Sequence, residues 1–123
     1  MNDSTVIFSY TRAQALADGV LVDVTDTARE AGYRHPVALT HAVYESCVRV
    51  PQDLAGQDEP GRLWDILWML RCAIAASRGE SELAFKVLVH NDESGPRPVC
   101  LKAVCGPGDD GEPVLTVMLP EED

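Results

Sequence analysis

The sequence predicts an α+β domain: short N-terminal helices around a strand-like segment, a long buried central helix, and a C-terminal three-stranded antiparallel sheet. Three observations carry that expectation. Ile66 to Leu70 and Cys72 to Ala76 are unbroken apolar runs, the pattern of a helix apolar on nearly every side. Residues 83–119 hold three segments of two-residue alternation, parted by turns rich in glycine and proline. Residues 11–32 place helix starts and glycine stops on either side of a β-branched stretch.

In chain order, Thr11 and Gln14 fit a capping box, in which the hydroxyl accepts from a first-turn amide while Gln14 reaches back. Ala13, Leu16 and Ala17 form the stripe of that short helix, and Gly19 suits its left-handed stop. Val20 to Val24 reads as a short strand or extended core segment. Thr25 or Asp26 caps a second helix ending at Gly32, only about two turns long and dependent on tertiary packing. Tyr33-Arg34-His35-Pro36 is a break, because the residue before proline avoids helical geometry. Val37 to Leu39 leads into Thr40, the expected N-cap of a helix reaching about Arg49 with Val43, Cys47 and Val50 on one stripe. Pro51 to Gly61 is a polar loop, and Arg62 to Ser77 is the strong central helix, stopped at Gly79. Strands then follow at Leu83 to His90, Val99 to Cys105 and Val114 to Leu119, and the central helix is their obvious cover.

With 123 residues, 46% apolar and 24% charged, the chain reads as one domain spanning 1–123, with frayed ends at about 1–5 and 120–123. Twenty acids against ten bases give a formal charge of −10. That balance repels nucleic-acid phosphates and favours basic partners. Leu63 to Ala76 is too short for a bilayer and contains Asp65 and Arg71, and no signal-peptide pattern opens the chain, so a cytoplasmic protein without membrane contact is expected. Cys47, Cys72, Cys100 and Cys105 are then reduced thiols, and their spacing matches no zinc pattern.

Few residues point to chemistry. Asp23 and Asp26 flank a helix start, where carboxylates serve as caps. His35, His41 and His90 are scattered, and Cys47 follows His41 by six residues but lies on an apolar stripe, poorly suited to a nucleophile pair. Gly106 to Pro113 lacks the oxygen order of a calcium loop and reads as a hairpin turn. The binding candidates are Tyr10, Arg12, Tyr33, Arg34, His35 and Trp64, aromatic and guanidinium groups near element ends, the types enriched at protein interfaces. No catalytic set, metal site or cofactor is indicated.

The chain resembles a family of small uncharacterised bacterial proteins often encoded on plasmids, phages and other mobile elements. The resemblance is carried by Phe8-Ser9-Tyr10-Thr11-Arg12, Ala17 to Val24, Ala28-Arg29-Glu30-Ala31-Gly32, Pro36 to Thr40 and Gly61 to Asp65. It implies a setting rather than an activity: a mobile-element accessory protein, for which interference with host defence is one role.

The expected function is therefore non-enzymatic binding of a protein partner, basic or itself nucleic-acid-binding. In a sharper version, acids such as Asp58, Glu59, Asp92 and Glu93 imitate a phosphate backbone. The rival is a small hydrolase or nucleotide-binding enzyme using Asp23, Arg34, His35 or His41. A third reading is a homodimer joined through Trp64 and Trp68.

Overall fold

The computed structural model describes residues 10–122. The expected frayed stretch 1–5 lies outside them, as do Phe8 and Ser9 of the resemblance.

Helix α1 (Arg12–Ala17) begins on the expected capping box: Gln14 N donates to Thr11 Oγ1 at 3.0 Å and Thr11 N to Gln14 Oε1 at 2.8 Å. A second cap comes from far along the chain. The Asp109 carboxylate accepts from Arg12 N and Ala13 N at 2.8 and 2.9 Å, supplying negative charge where the helix start exposes donors. Gly19, at φ +78°, turns the chain into β1 (Leu21–Asp23).

Helix α2 (Thr25–Glu30) corrects one expectation, since neither Thr25 nor Asp26 caps it; Val24 holds the N-cap position without a side-chain bond. Asp23 makes the turn instead, accepting from Thr25 N at 3.0 Å and from Thr25 Oγ1 at 2.5 Å. The Thr25 hydroxyl also accepts from Val37 N at 3.2 Å, which ties the helix start to β2 (Val37–Thr40).

Thr40 caps α3 (His41–Val43) as expected, with Val43 N donating to its hydroxyl at 3.3 Å. The helix expected to reach Arg49 does not continue as an α-helix: it widens into a π-turn over Tyr44–Val48, closed by Arg49 N donating to Tyr44 O at 2.9 Å. Helix α4 (Glu59–Ala76) starts one turn earlier than expected, because Asp58 accepts from Gly61 N at 2.5 Å and Pro60 occupies a first-turn position that needs no donor.

Strands β3 (Glu82–His90), β4 (Pro96–Pro107) and β5 (Pro113–Met118) match the expected alternating segments, but the three-stranded antiparallel sheet does not stand alone. The sheet has five strands in the order β1-β2-β5-β4-β3, with β2 and β5 parallel through Val37–Leu115 and Leu39–Val117. Val37, Ala38 and Leu39 are all buried, as in a central strand covered on both faces, so β2 has no two-residue alternation to reveal it. In β4, Cys105 N donates to Ser81 O, so odd residues address β3 and even ones the other side. Pro96 and Pro98 therefore turn their donorless nitrogens toward a side where β5, whose register ends at Lys102–Met118, is absent.

Helices α2 and α4 and the π-turn cover one face of the sheet, and Val37, Leu39, Phe85, Val87, Leu101 and Val117 fill the core between. Helix α1 lies against the other face, with Ala15 buried and Ala38, Val114 and Met118 beneath. The long helix is buried on one side only. Ile66, Leu67 and Leu70 face the core, while Trp64, Trp68, Met69 and Ile74 are exposed, because no further layer covers them. All four cysteines are free, with only Cys47 buried. No helix among the described residues is long and apolar enough to cross a membrane.

Candidate functional site

Two of the six binding candidates make hydrogen bonds within the fold, although Tyr10 remains 56% exposed. Tyr10 Oη donates to Asp18 Oδ2 at 2.7 Å, a bond that raises the phenol above its usual titration range. Arg12 reaches across to β5, donating from Nη1 to Thr116 Oγ1 at 2.7 Å and from Nη2 to Leu115 O at 3.0 Å. Burial pulls its guanidinium below the ordinary arginine range, and Asp23, Asp109 and Glu112 oppose that pull.

Tyr33, Arg34 and His35 stay together on the α2–β2 turn and line a cavity of about 350 Å³ at one end of the sheet. Tyr33 anchors the turn: its hydroxyl donates to Leu67 O at 2.7 Å, and burial pushes the phenol well above its usual range. Arg34 and His35 are exposed at the rim. Leu83 of β3, Ala103 of β4 and Leu115 of β5 make the floor, with Ile74 of α4 at the side. Among the described residues, Arg34, Arg78 and Lys86 are the basic side chains with neither a hydrogen bond nor an ion pair; Arg29, Arg49 and Arg97 face nearby acids.

Trp64 stands on the outer face of α4. Beside it, Asp65, Trp68 and Met69 meet Lys86, Leu88 and Pro98 around a cleft of about 370 Å³. Trp68 is 47% and Leu88 64% exposed, large apolar groups left in water. The Arg71 guanidinium sits 5.8 Å from the Trp68 ring centroid, while its Nη1 donates to Ala31 O, so one side chain links this face to the end of α2.

The residues of the enzymatic reading are dispersed. Asp23 lines a cavity with Arg12, Asp26, Asp109 and Glu112 between α1 and α2. His41 lies in a groove with Tyr10, Val20 and Met118. Arg34 and His35 belong to the cavity at the sheet end. Cys47 packs beside Arg62 in a further one, and burial raises its thiol above the ordinary range. The acids around α1 are engaged locally: Asp109 caps the helix and Asp26 lies 3.7 Å from Arg29. Among the described residues, no group of three or more His, Cys, Asp or Glu is placed to hold a metal ion.

Sequence reasoning passed over Arg62, which is 7% exposed. Its Nε donates to Cys47 O at 3.0 Å, Nη1 to His90 O at 2.7 Å and Nη2 to Asn91 Oδ1 at 2.5 Å. Asn91 in turn donates to Ser46 O at 2.7 Å. The two side chains thus satisfy carbonyls that the end of the π-turn leaves without helical partners. Burial lowers the Arg62 pKa, and no carboxylate oxygen among the described residues lies within 4.0 Å of it. The one signal in the chain was a basic residue at the head of an apolar helix, which fits a surface position equally well.

A family model described as a family of unknown function (DUF6573) matches residues 1–123. No curated protein and no solved structure matches the chain.

Proposed function

Because the chain belongs to that family of unknown function, its role must be read from its own surface, and we propose a non-enzymatic protein that binds a basic protein partner through the outer face of α4 and the adjoining β3. One observation carries the reading: Trp68, Met69 and Leu88 are exposed together around the α4–β3 cleft, and Trp64 is exposed one turn before Trp68 on the same helix. Aromatic and methionine side chains of this kind are enriched at the centres of protein interfaces. Asp65 lies in the same cleft without an ion pair among the described residues, so a cationic side chain has a carboxylate to meet and apolar carbons for its stem. The charge of −10 adds long-range attraction for a basic body. Asp23 and His41 each lie in a cavity apart from the one that Arg34 and His35 share, which supports binding over catalysis. In the mobile-element setting implied by the resemblance, a host defence or nucleic-acid-binding protein is a partner of this chemistry.

Capture from a cell lysate with the wild-type chain and Trp68→Asp in parallel tests the reading, followed by titration of each purified partner over a salt series. A basic partner lost with Trp68→Asp and bound more weakly at high salt is expected. Identical capture by both chains, or binding indifferent to salt, overturns it. A homodimer through Trp64 and Trp68 is the poorer occupant of this face, since two bodies of charge −10 repel each other. Light scattering should return the monomer mass.

A further inference from the structure

We propose that the cavity under the α2–β2 turn binds a small carboxylic acid with an apolar body. The carboxylate meets Arg34 and His35, and the body lies on Ile74, Leu83, Ala103 and Leu115. This site is separate from the α4–β3 face and does not depend on it.

The floor is a product of strand register. Leu83 pairs with Ala103 and Cys105 with Leu115, so three adjacent strands present their core-side residues at the end of the sheet. The C-terminal end of α4 supplies Ile74 and Ser77 as one wall, and Gly79, at φ +86°, turns the chain away to leave the mouth open. At about 350 Å³ the cavity falls within the roughly 300–1,000 Å³ of small-molecule sites.

The rim decides the polar end of the ligand. Acids outnumber bases two to one in this chain, yet Arg34 has no ion-pair or hydrogen-bond partner among the described residues. A guanidinium fork matches a carboxylate with two parallel hydrogen bonds. Glu80, the acid in the wall, is turned to its own backbone and accepts from Arg78 N at 2.8 Å. A phosphate dianion suits the site poorly, because it meets more repulsion from Glu80 and from the overall charge of −10, and it leaves the apolar floor uncovered. A monoanion carrying an apolar group satisfies both ends.

Cys105 lies in this cavity with an exposed thiol, while Cys100 is exposed elsewhere, so the protein carries its own reporter and control. The experiment is alkylation by iodoacetamide, mapped by mass spectrometry, against rising phenylacetate, phenylacetamide or inorganic phosphate. Phenylacetate should slow alkylation of Cys105 saturably and leave Cys100 unchanged. Phenylacetamide should protect about tenfold less well, the worth of one charge-assisted contact. Arg34→Gln, an exposed change that leaves the melting temperature in place, should erase the preference for acid over amide. Ile74→Glu should abolish protection by both. Failure of phenylacetate to protect Cys105, equal protection by acid and amide, or equal protection by phosphate overturns the proposal.

Discussion

Arg62 donates to the backbone carbonyl of His90 at 2.7 Å, fastening the first turn of α4 to the last residue of β3. The same guanidinium holds Cys47 O and the Asn91 side chain, so one buried cation joins three elements through neutral acceptors alone.

Arg62→Met should therefore lower stability by about 3 kcal/mol, since it leaves buried acceptors unpaired while keeping most of the side-chain volume. Arg62→Lys should also destabilise, because a single ammonium cannot reproduce the planar fork. Asn91→Ala, which frees only Ser46 O and one Arg62 donor, should cost roughly 1–2 kcal/mol. Urea denaturation measures all three, and a wild-type midpoint for Arg62→Met would refute the assignment.

Asp109 makes the stability of α1 depend on pH. Hydrogen bonds from Ala13 N and Arg12 N hold its carboxyl below the usual range. A group depressed in the folded state stabilises above its unfolded pKa, about 4, and loses that contribution as pH falls through the lower folded value. Asp109→Asn should melt below the wild type near neutral pH, and the gap should narrow on acidification toward about pH 3. A gap independent of pH would contradict the cap. Thr11→Ala, at the other cap of the same helix, should cost about 1 kcal/mol.

Tyr33 gives the opposite sign. Burial favours the neutral phenol and raises its pKa, so its contribution is complete below the ordinary tyrosine range and declines as pH rises past about 10, where the unfolded chain ionises first. Tyr33→Phe should cost about 1 kcal/mol near neutral pH through loss of the bond to Leu67 O. It should also flatten the alkaline decline in chemical denaturation. Parallel wild-type and variant curves above about pH 10 would exclude Tyr33 as the group responsible.

The one-sided burial of α4 predicts unequal truncation costs. Leu67→Ala and Leu70→Ala should each lose about 2–5 kcal/mol, since both side chains are fully enclosed. Trp68→Ala should cost no more than about 1 kcal/mol despite its larger side chain, because nearly half of it already faces water. Equal losses in thermal denaturation would show that the helix face is covered after all.

Local chemistry made much of the fold legible. The Thr11–Gln14 box, the Thr40 cap and the glycine at position 19 act within one turn of chain, and the alternation of β3 to β5 records one buried face. At the site, the chain itself placed Tyr33, Arg34 and His35 on one exposed turn before Pro36, and their side chains stayed together. Trp64 was legible as an aromatic group near a helix start, though not as part of an exposed face.

The tertiary structure decided the rest, because it depends on partners distant in sequence. Three consecutive buried residues in β2 carry no period, so only pairing with β1 and β5 reveals a strand and turns three strands into five. Arg12 read as an interface residue until β5 supplied acceptors 103 and 104 positions away. Composition made α4 apolar all round, but the number of layers around it determined which side faces water. By itself the sequence determined the Thr11 and Thr40 caps, the Gly19 turn and the alternation of β3 to β5, since those preferences follow from each residue and its nearest neighbours. Register and layering determined which side chains meet, and so which of the candidate residues remain free to bind.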